Sequence, residues 1–449
     1  DAAKTQDIDD ALYAEISDDG WTLFVAIADP TAYIDANSRL RRDVADRSTS
    51  IYFHGNVLPM LPEELAQDTC ALSEGVNRAA LVCKIAVTDS GEVGDFEFIE
   101  ATVRSRGKLS YYAVDRYISG RYDELMSHST PLETLYQIYR ALRSRREEQG
   151  LVMEDRQDFR WILNESKQIE TIEPSEKLLS QKLVEECMVA ANQCAARFLI
   201  EHNASGPFVS HPGFRDDRRD EVNKFLTLHA PELAALDTDS VTGYRDIMRG
   251  LAAPTSTLPL RTMVNRLLTR AVLTTKPSPH MGMALPSYTN CTSPLRKYSD
   301  FLVHLQIKAA LNGAQAQLVD SKILAELMHR LAVSRSATQE AERWLASNYV
   351  SKIAKDNDNI FKATITHVTS SGFNARLNNN GLTGFVDLRK DPEKFSYDKW
   401  TASLTSTTRR FQLGQAVDLN FIGVGQEVIY QTLFKPIADC GLKTPAEKA

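Results

Sequence analysis

Four carboxylates crowd the first ten residues, DAAKTQDIDD: Asp1, Asp7, Asp9 and Asp10. Like charges at that spacing repel unless something positive sits among them, and carboxylate oxygens are the donors that hard divalent cations prefer. The segment reads as a metal site, with a frayed, solvated acidic end as the other reading. Ala11, Leu12 and Tyr13 follow at once, and then the apolar run WTLFVAIAD at 21–29, so the carboxylates abut folded structure. An EF-hand loop is a poor alternative, because it needs glycine at its sixth position and glutamate at its twelfth, which counted from Asp7 are Leu12 and Asp18.

A second constellation lies at 288–300, YTNCTSPLRKYSD, where Thr292, Ser293, Arg296, Lys297 and Tyr298 gather around Pro294 just ahead of a helix. A hydroxyl-rich turn at a helix N-terminus followed by two cations suits a phosphate: backbone N–H groups face the anion and arginine grips its oxygens. Thr292 or Ser293 as a plain helix cap is the equal alternative. The third segment is SIYFHGNVLPMLP at 50–62, a proline-stiffened loop that either exposes Tyr52 and Phe53 for stacking on a base or is simply covered.

These segments need elements to position them. WTLFVAIAD at 21–29 and ALVCKIAV at 80–87 read as buried strands, short apolar runs bounded by turn residues. Apolar residues at Leu179, Leu183, Cys187 and Cys194 recur at three-to-four spacing and predict a long helix over 176–200. Shorter helices are expected over 258–274 and 300–312, and another long one over 319–354. Strands and long helices without regular alternation indicate the α+β class. From 356 the pattern changes to FKATITHV, GFNARL, GLTGFVDL, AVDLNFIGV and EVIYQTLF, five short β-runs with the count of a small OB-type barrel. The expected domains are therefore 1–355 and 356–449. Phe361, Phe373 and Phe385 sit in or beside the first three runs, as base-stacking surfaces or as core.

Composition limits the function classes. The 449 residues are 43% hydrophobic and 25% charged, which excludes a disordered or fibrous chain. The longest apolar runs, 23–28 and 81–87, fall far short of the roughly 20 residues of a membrane span. Six separated cysteines, Cys70, Cys83, Cys187, Cys194, Cys291 and Cys440, without a C-x-x-C pair point to a reducing compartment. The chain opens on Asp1 and not on methionine, so an upstream region is expected. A net charge of −7 argues against a nucleic-acid partner only as an average. Residues 261–355 carry thirteen basic against five acidic side chains, with Arg296 among them, so the positive surface is expected to line a channel.

With these segments in hand, the chain resembles the ribonuclease II/R (RNB) family, and its ribonuclease II branch more than its ribonuclease R branch. The matching stretches, in order, are DAAKTQDIDDAL, VAIADPTAYI, PMLPEELAQDTCAL, EECMVAAN, PHMGMALPSY and TSPLRKYSD, across about 1–355. The resemblance implies an RNB catalytic domain, a mixed sheet wrapped by helices, followed by an S-one type RNA-binding barrel. It implies a processive 3′-to-5′ exoribonuclease that turns single-stranded RNA into nucleoside 5′-monophosphates. Asp1, Asp7, Asp9 and Asp10 would hold one or two magnesium ions, with manganese as a substitute. Asp9 and Arg296 would be catalytic, Arg296 on the scissile phosphate. Tyr52 matches a tyrosine that packs on the 3′-terminal nucleotide, and Tyr111 one that lines the RNA channel. Thr292, Ser293, Lys297 and Tyr298 fall in the RNA-contacting motif. The implied partner is RNA alone, with no membrane, no required protein partner, a monomer and a cytoplasmic location. Leu305 stands after His304 where the family commonly has arginine. A second base-clamping aromatic aligns near Ser205, with Phe208 three residues on, and an expected glutamate before Trp344 is displaced to Glu340 or Glu342. The remaining alternatives are a non-catalytic RNA-binding protein of this fold and a metal enzyme acting on small phosphate esters.

Overall fold

The apolar run at 21–29 becomes strand β2 (Gly20–Ala28), flanked by β1 (Asp10–Ser17) and β3 (Asn77–Thr88), with β4 (Val93–Arg104) beside β3. The structure, a computed structural model, describes residues 5–443 except 36, 55, 122–124, 151–156, 254–255, 257, 315–317, 357, 426–427 and 438–441. Asp1 and Cys440 lie outside the described residues; the other five cysteines are buried and unpaired. The sheet is antiparallel at every pairing and not mixed, because β1–β2 and β3–β4 are short-turn hairpins. Gly20 closes the first turn at φ +134°, and a Cβ there would stand 2.3 Å from the Val87 carbonyl oxygen.

Both faces of the sheet are covered, which is why β2 is apolar almost throughout. Leu23, Val25 and Ile27 face helices α1 (Ser129–Glu148) and α2 (Leu179–Glu201), meeting Leu135, Ile138, Leu183 and Cys187. Ala26 and Ala28 point the other way, toward Met60, Leu61, Leu72 and Leu295. Helix α3 (Tyr298–Leu311) serves both layers, sending Val303 and Ile307 into the first and Phe301 and Leu302 into the second. The predicted helix over 258–274 is broken: a short helix Leu260–Val264 and one 3-10 turn give way to strand Val272–Thr274, paired with Phe208–Ser210. Two β-branched residues in that three-residue strand favour pairing over a continued helix. Phe208 is fully buried in that pair and so is no base clamp.

Helix α4 (Ser321–Asp356) leads to five strands, β5 (Phe361–Thr369), β6 (Gly372–Leu377), β7 (Thr383–Asp387), β8 (Ala416–Val424) and β9 (Thr432–Pro436). They close in the order β5-β6-β7-β9-β8, antiparallel except for the parallel β7–β9 contact. The last strand begins at Thr432, later than the run 427–434 suggested. A small second sheet, Ser396–Asp398, Ser403–Thr405, Arg409–Gln412 and Leu442–Lys443, was not foreseen. Phe411 from it enters the barrel core 4.9 Å from the Phe373 ring. That core runs on into the helices at 219–264 through Phe225, Leu226 and Ile247.

Two of the three barrel aromatics are therefore core and not stacking surface. Phe361 is 3% exposed and Phe373 0%, so neither has a face free for a base; Phe385 is half-buried. Phe373→Ala is expected to cost about 4 kcal/mol of stability, the usual penalty for emptying a buried phenylalanine site. A urea midpoint that does not fall would contradict this placement.

Asp29, at the end of β2, is 3% exposed and receives Lys308 of α3 and the Thr31 hydroxyl, with His304 at 3.7 Å. Burial alone would raise its pKa, but His304, Lys308 and Thr31 hold the carboxyl well below the usual carboxylate range. Lys308→Met leaves that charge buried without its cation and should destabilise the protein by about 3 kcal/mol at neutral pH. Because the native pKa is depressed, the stability from Asp29 is present above its ordinary value of 3.8 and is lost as pH falls below it. The gap between wild type and variant, read by urea titration, should narrow in acid.

Candidate active site

Asp9 sits one residue before β1, its carbonyl oxygen accepting from the Ala28 N–H at 2.8 Å. The sheet thus fixes its backbone, and its side chain is 5% exposed. The two carboxylate oxygens reach partners 286 and 287 residues away in sequence. Oδ1 accepts from the Leu295 N–H at 3.1 Å, and Oδ2 accepts from Arg296 Nε at 2.8 Å.

The 288–297 loop is held rigid by buried polar contacts. Asn192 on α2 accepts the Cys291 N–H at 2.8 Å and donates to the Tyr288 hydroxyl at 3.0 Å. Asp300 in the first turn of α3 accepts the Ser293 N–H at 3.0 Å, and His304 Nε2 lies 2.8 Å from the Cys291 carbonyl oxygen. The Arg296 carbonyl oxygen accepts the Ser50 N–H at 2.9 Å, which ties the Tyr52 segment to the same loop. Neither Thr292 nor Ser293 caps α3: the helix starts at Tyr298, and Lys297 precedes it without a side-chain cap bond. Pro294 and the bond to Asp300 keep the segment a loop for several residues longer than a cap would.

One cleft of about 730 Å³ gathers most of the residues singled out from sequence. Asp7, Asp9 and Asp10 line it with Arg296, Lys297, Thr292, Ser293, Tyr52 and Tyr111. Tyr52 donates its hydroxyl to Asp7 Oδ2 at 3.2 Å and keeps 44% of its surface exposed. Tyr298 is not brought there; it is buried and stacks on Phe301 at 5.6 Å. Nor do Phe361, Phe373 and Phe385 line the cleft. Polar lining residues that escaped the sequence reading include Arg146, Glu185, Asn192 and Asn290. Arg146 is held by Glu186 at 2.7 Å, a pair in which each residue comes from a different helix. EECMVAAN contains Glu185 and Asn192, so the motif was in view and only the facing of its side chains was not.

Electrostatics set the acidic group apart. Burial pushes the Asp9 carboxyl up to about 7, with Arg296 and the Leu295 N–H only partly offsetting it. Asp10 is also raised, again by burial. Burial opposes the Arg296 charge, yet Asp9 beside it pushes the guanidinium pKa up. Tyr52 is pushed up to about 12 by burial and by the negative charge of Asp7. Asp7, Asp9 and Asp10 offer hard oxygen donors on one cleft, the donor set that suits magnesium. Among the described residues no three such groups form a ready ligand cluster, and Asp9 is engaged by Arg296. The donor chemistry fits a divalent cation, with Asp1 the expected fourth ligand lying outside the described residues.

The family model of the RNB domain matches residues 1–313. Exoribonuclease 2 of Yersinia pseudotuberculosis serotype IB is 34% identical over 392 residues, covering 86% of this chain and 60% of that protein. The chain thus spans about 60% of the length of the curated relatives it matches. Among solved structures, Mycoplasma genitalium RNase R in complex with ribose methylated single-stranded RNA superposes with a TM-score of 0.86 at 21% identity, over 97% of this chain and 70% of that one. Yeast Ssd1, a pseudonuclease, superposes at 0.67 with 17% identity, over 89% of this chain and 50% of that one. These likenesses show a shared fold. With the carboxylate segment, the 288–300 loop and the sheet that joins them all inside the matched span, the chain belongs to the RNB domain family.

Proposed function

We propose that the chain is a magnesium-dependent 3′-to-5′ exoribonuclease that shortens single-stranded RNA processively to nucleoside 5′-monophosphates. The observation that carries this reading is the single cleft in which Asp7, Asp9 and Asp10 face Arg296 and Lys297, with Tyr52 at its wall. The Yersinia relative named exoribonuclease 2 and the RNase R fold with single-stranded RNA support it. In the same reading the closed five-stranded sheet is an OB-type RNA-binding barrel, the boundary near residue 356 separates catalytic and binding domains, and the protein works as a cytoplasmic monomer.

The reaction joins a water oxygen to phosphorus and breaks the bond to the O3′ of the penultimate nucleotide, which takes up a proton. Asp7, Asp9 and Asp10 would hold magnesium, together with Asp1. Bound there, the ion supplies charge neutralisation on the phosphate and makes water easier to deprotonate. The chain's own residues do the rest. Arg296 spends its Nε–H on Asp9, and its terminal amino groups are the donors that a non-bridging phosphate oxygen meets. Charge grows on those oxygens in the transition state, so a preorganised guanidinium stabilises it more than the ground state. Lys297 adds a second positive charge for the next phosphate. The Tyr52 hydroxyl, fixed on Asp7, presents its ring to the terminal base. A non-catalytic RNA-binding protein is the second reading, because a pseudonuclease shares the fold; the retained Asp7, Asp9 and Asp10 weigh against it.

A 5′-labelled single-stranded RNA with magnesium should give a ladder of shortened products. Asp9→Asn and Arg296→Ala should each slow shortening by about 100-fold or more while RNA binding persists. Binding with no shortening by the unaltered chain would favour the pseudonuclease reading. Lys297→Gln should flatten the dependence of log affinity on log salt by about 0.7, the loss of one phosphate contact on a single strand. An unchanged slope would remove Lys297 from the RNA path.

A further inference from the structure

A second cavity of about 870 Å³ adjoins the cleft that holds the three aspartates. Asp10, Tyr111 and Val184 line both spaces, so these three side chains form the partition between them. The rest of the second cavity's lining has a different character. Arg104, Arg106 and Lys108 alternate along the end of β4 and the segment after it, all three exposed. Among the described residues Arg104 and Arg106 engage no carboxylate, while Lys108 donates to the Thr5 carbonyl oxygen. Phe24, Val82 and Leu132 supply apolar wall. The volume falls within the roughly 300–1,000 Å³ range of small-ligand sites.

An exonuclease that keeps its strand in the cleft blocks the way by which that strand entered. Each released nucleotide carries its phosphate away from a strand that stays bound, and it is set free among carboxylates that repel it. Two guanidinium groups that line the adjoining cavity and engage no carboxylate among the described residues attract the same dianion, and the apolar wall accepts a base. We infer that the second cavity binds the nucleoside 5′-monophosphate product and is its way out, an inference that rests on the exonuclease reading. The ligand class follows from the pairing of a cationic rim with an apolar wall of base size, and the direction follows from the change of charge across Asp10 and Tyr111.

The experiment measures calorimetric binding of adenosine 5′-monophosphate to the Asp9→Asn chain already saturated with a single-stranded oligoribonucleotide. With the cleft filled, one nucleotide should still bind. Adding Arg104→Glu and Arg106→Glu, both at exposed positions, should weaken that binding at least tenfold. In the chain with Asp9 intact, the same two changes should leave single-turnover removal of the first nucleotide unaltered and raise the adenosine monophosphate concentration needed for product inhibition. Exclusion of the nucleotide by RNA would place its only site in the cleft and overturn the inference, as would an unchanged affinity in the double variant. If the chain with Asp9 intact shortens no RNA, the nuclease reading and the exit role fall together, while the calorimetry still decides whether the second cavity binds a nucleotide.

Discussion

The structure depends on one buried carboxylate. Asp9 is nearly without solvent, yet it sits among other acids, and a charge in that position is tolerated only if donors surround it. The chain brings two from almost three hundred residues away: the N–H of Leu295 and the guanidinium of Arg296. That pair of bonds forces the acidic segment and the TSPLRKYSD loop into register across β2, and with them the Tyr52 segment that hangs from the Arg296 carbonyl. A residue outside the regular elements thereby decides how three distant pieces of sequence meet.

The same contact shapes the chemistry. Burial pushes the Asp9 carboxyl up to about 7 even though Arg296 and the Leu295 N–H pull it down, and without that guanidinium it would stand higher still. Any cation that enters must compete with that guanidinium for the same oxygens. In the proposed reaction, phosphate meets an arginine already aimed by its bond to Asp9, so little reorganisation of that side chain remains to be done. The Asn192, Asp300 and His304 contacts serve this end by holding the loop backbone, not by touching the cleft's centre in every case.

Much of this was legible in the sequence, and the limits have physical causes. The buried strand β2 and helices α2, α3 and α4 announced themselves because a covered face leaves a periodic apolar record. β1 and β4 did not, since as sheet edges they keep alternate residues such as Tyr13 and Glu15, or Asp95 and Glu97, in water. Site residues rich in charge were found; Arg146 and Asn192 were not, because their partners Glu186, Tyr288 and Cys291 lie 40, 96 and 99 residues away and local spacing carries no trace of them. The barrel aromatics show the opposite error. Phe361 and Phe373 had the right type and spacing for stacking, but a small closed barrel needs large side chains in its own interior, and those two were taken for that purpose.

Charge gives the remaining step. A net of −7 over 449 residues says little about where an anionic polymer would lie. The fold sorts the charge: three carboxylates line one wall of a cleft, with Arg296 and Lys297 from the basic stretch 261–355 on the same cleft. Under the proposed function an anionic strand is drawn there because Arg296 and Lys297 face a concave space, where each attraction is screened less than on an open surface. Under the same proposal, an excess of acid elsewhere on the chain acts against non-specific binding of RNA to the exterior and leaves the cleft as the favoured place for it.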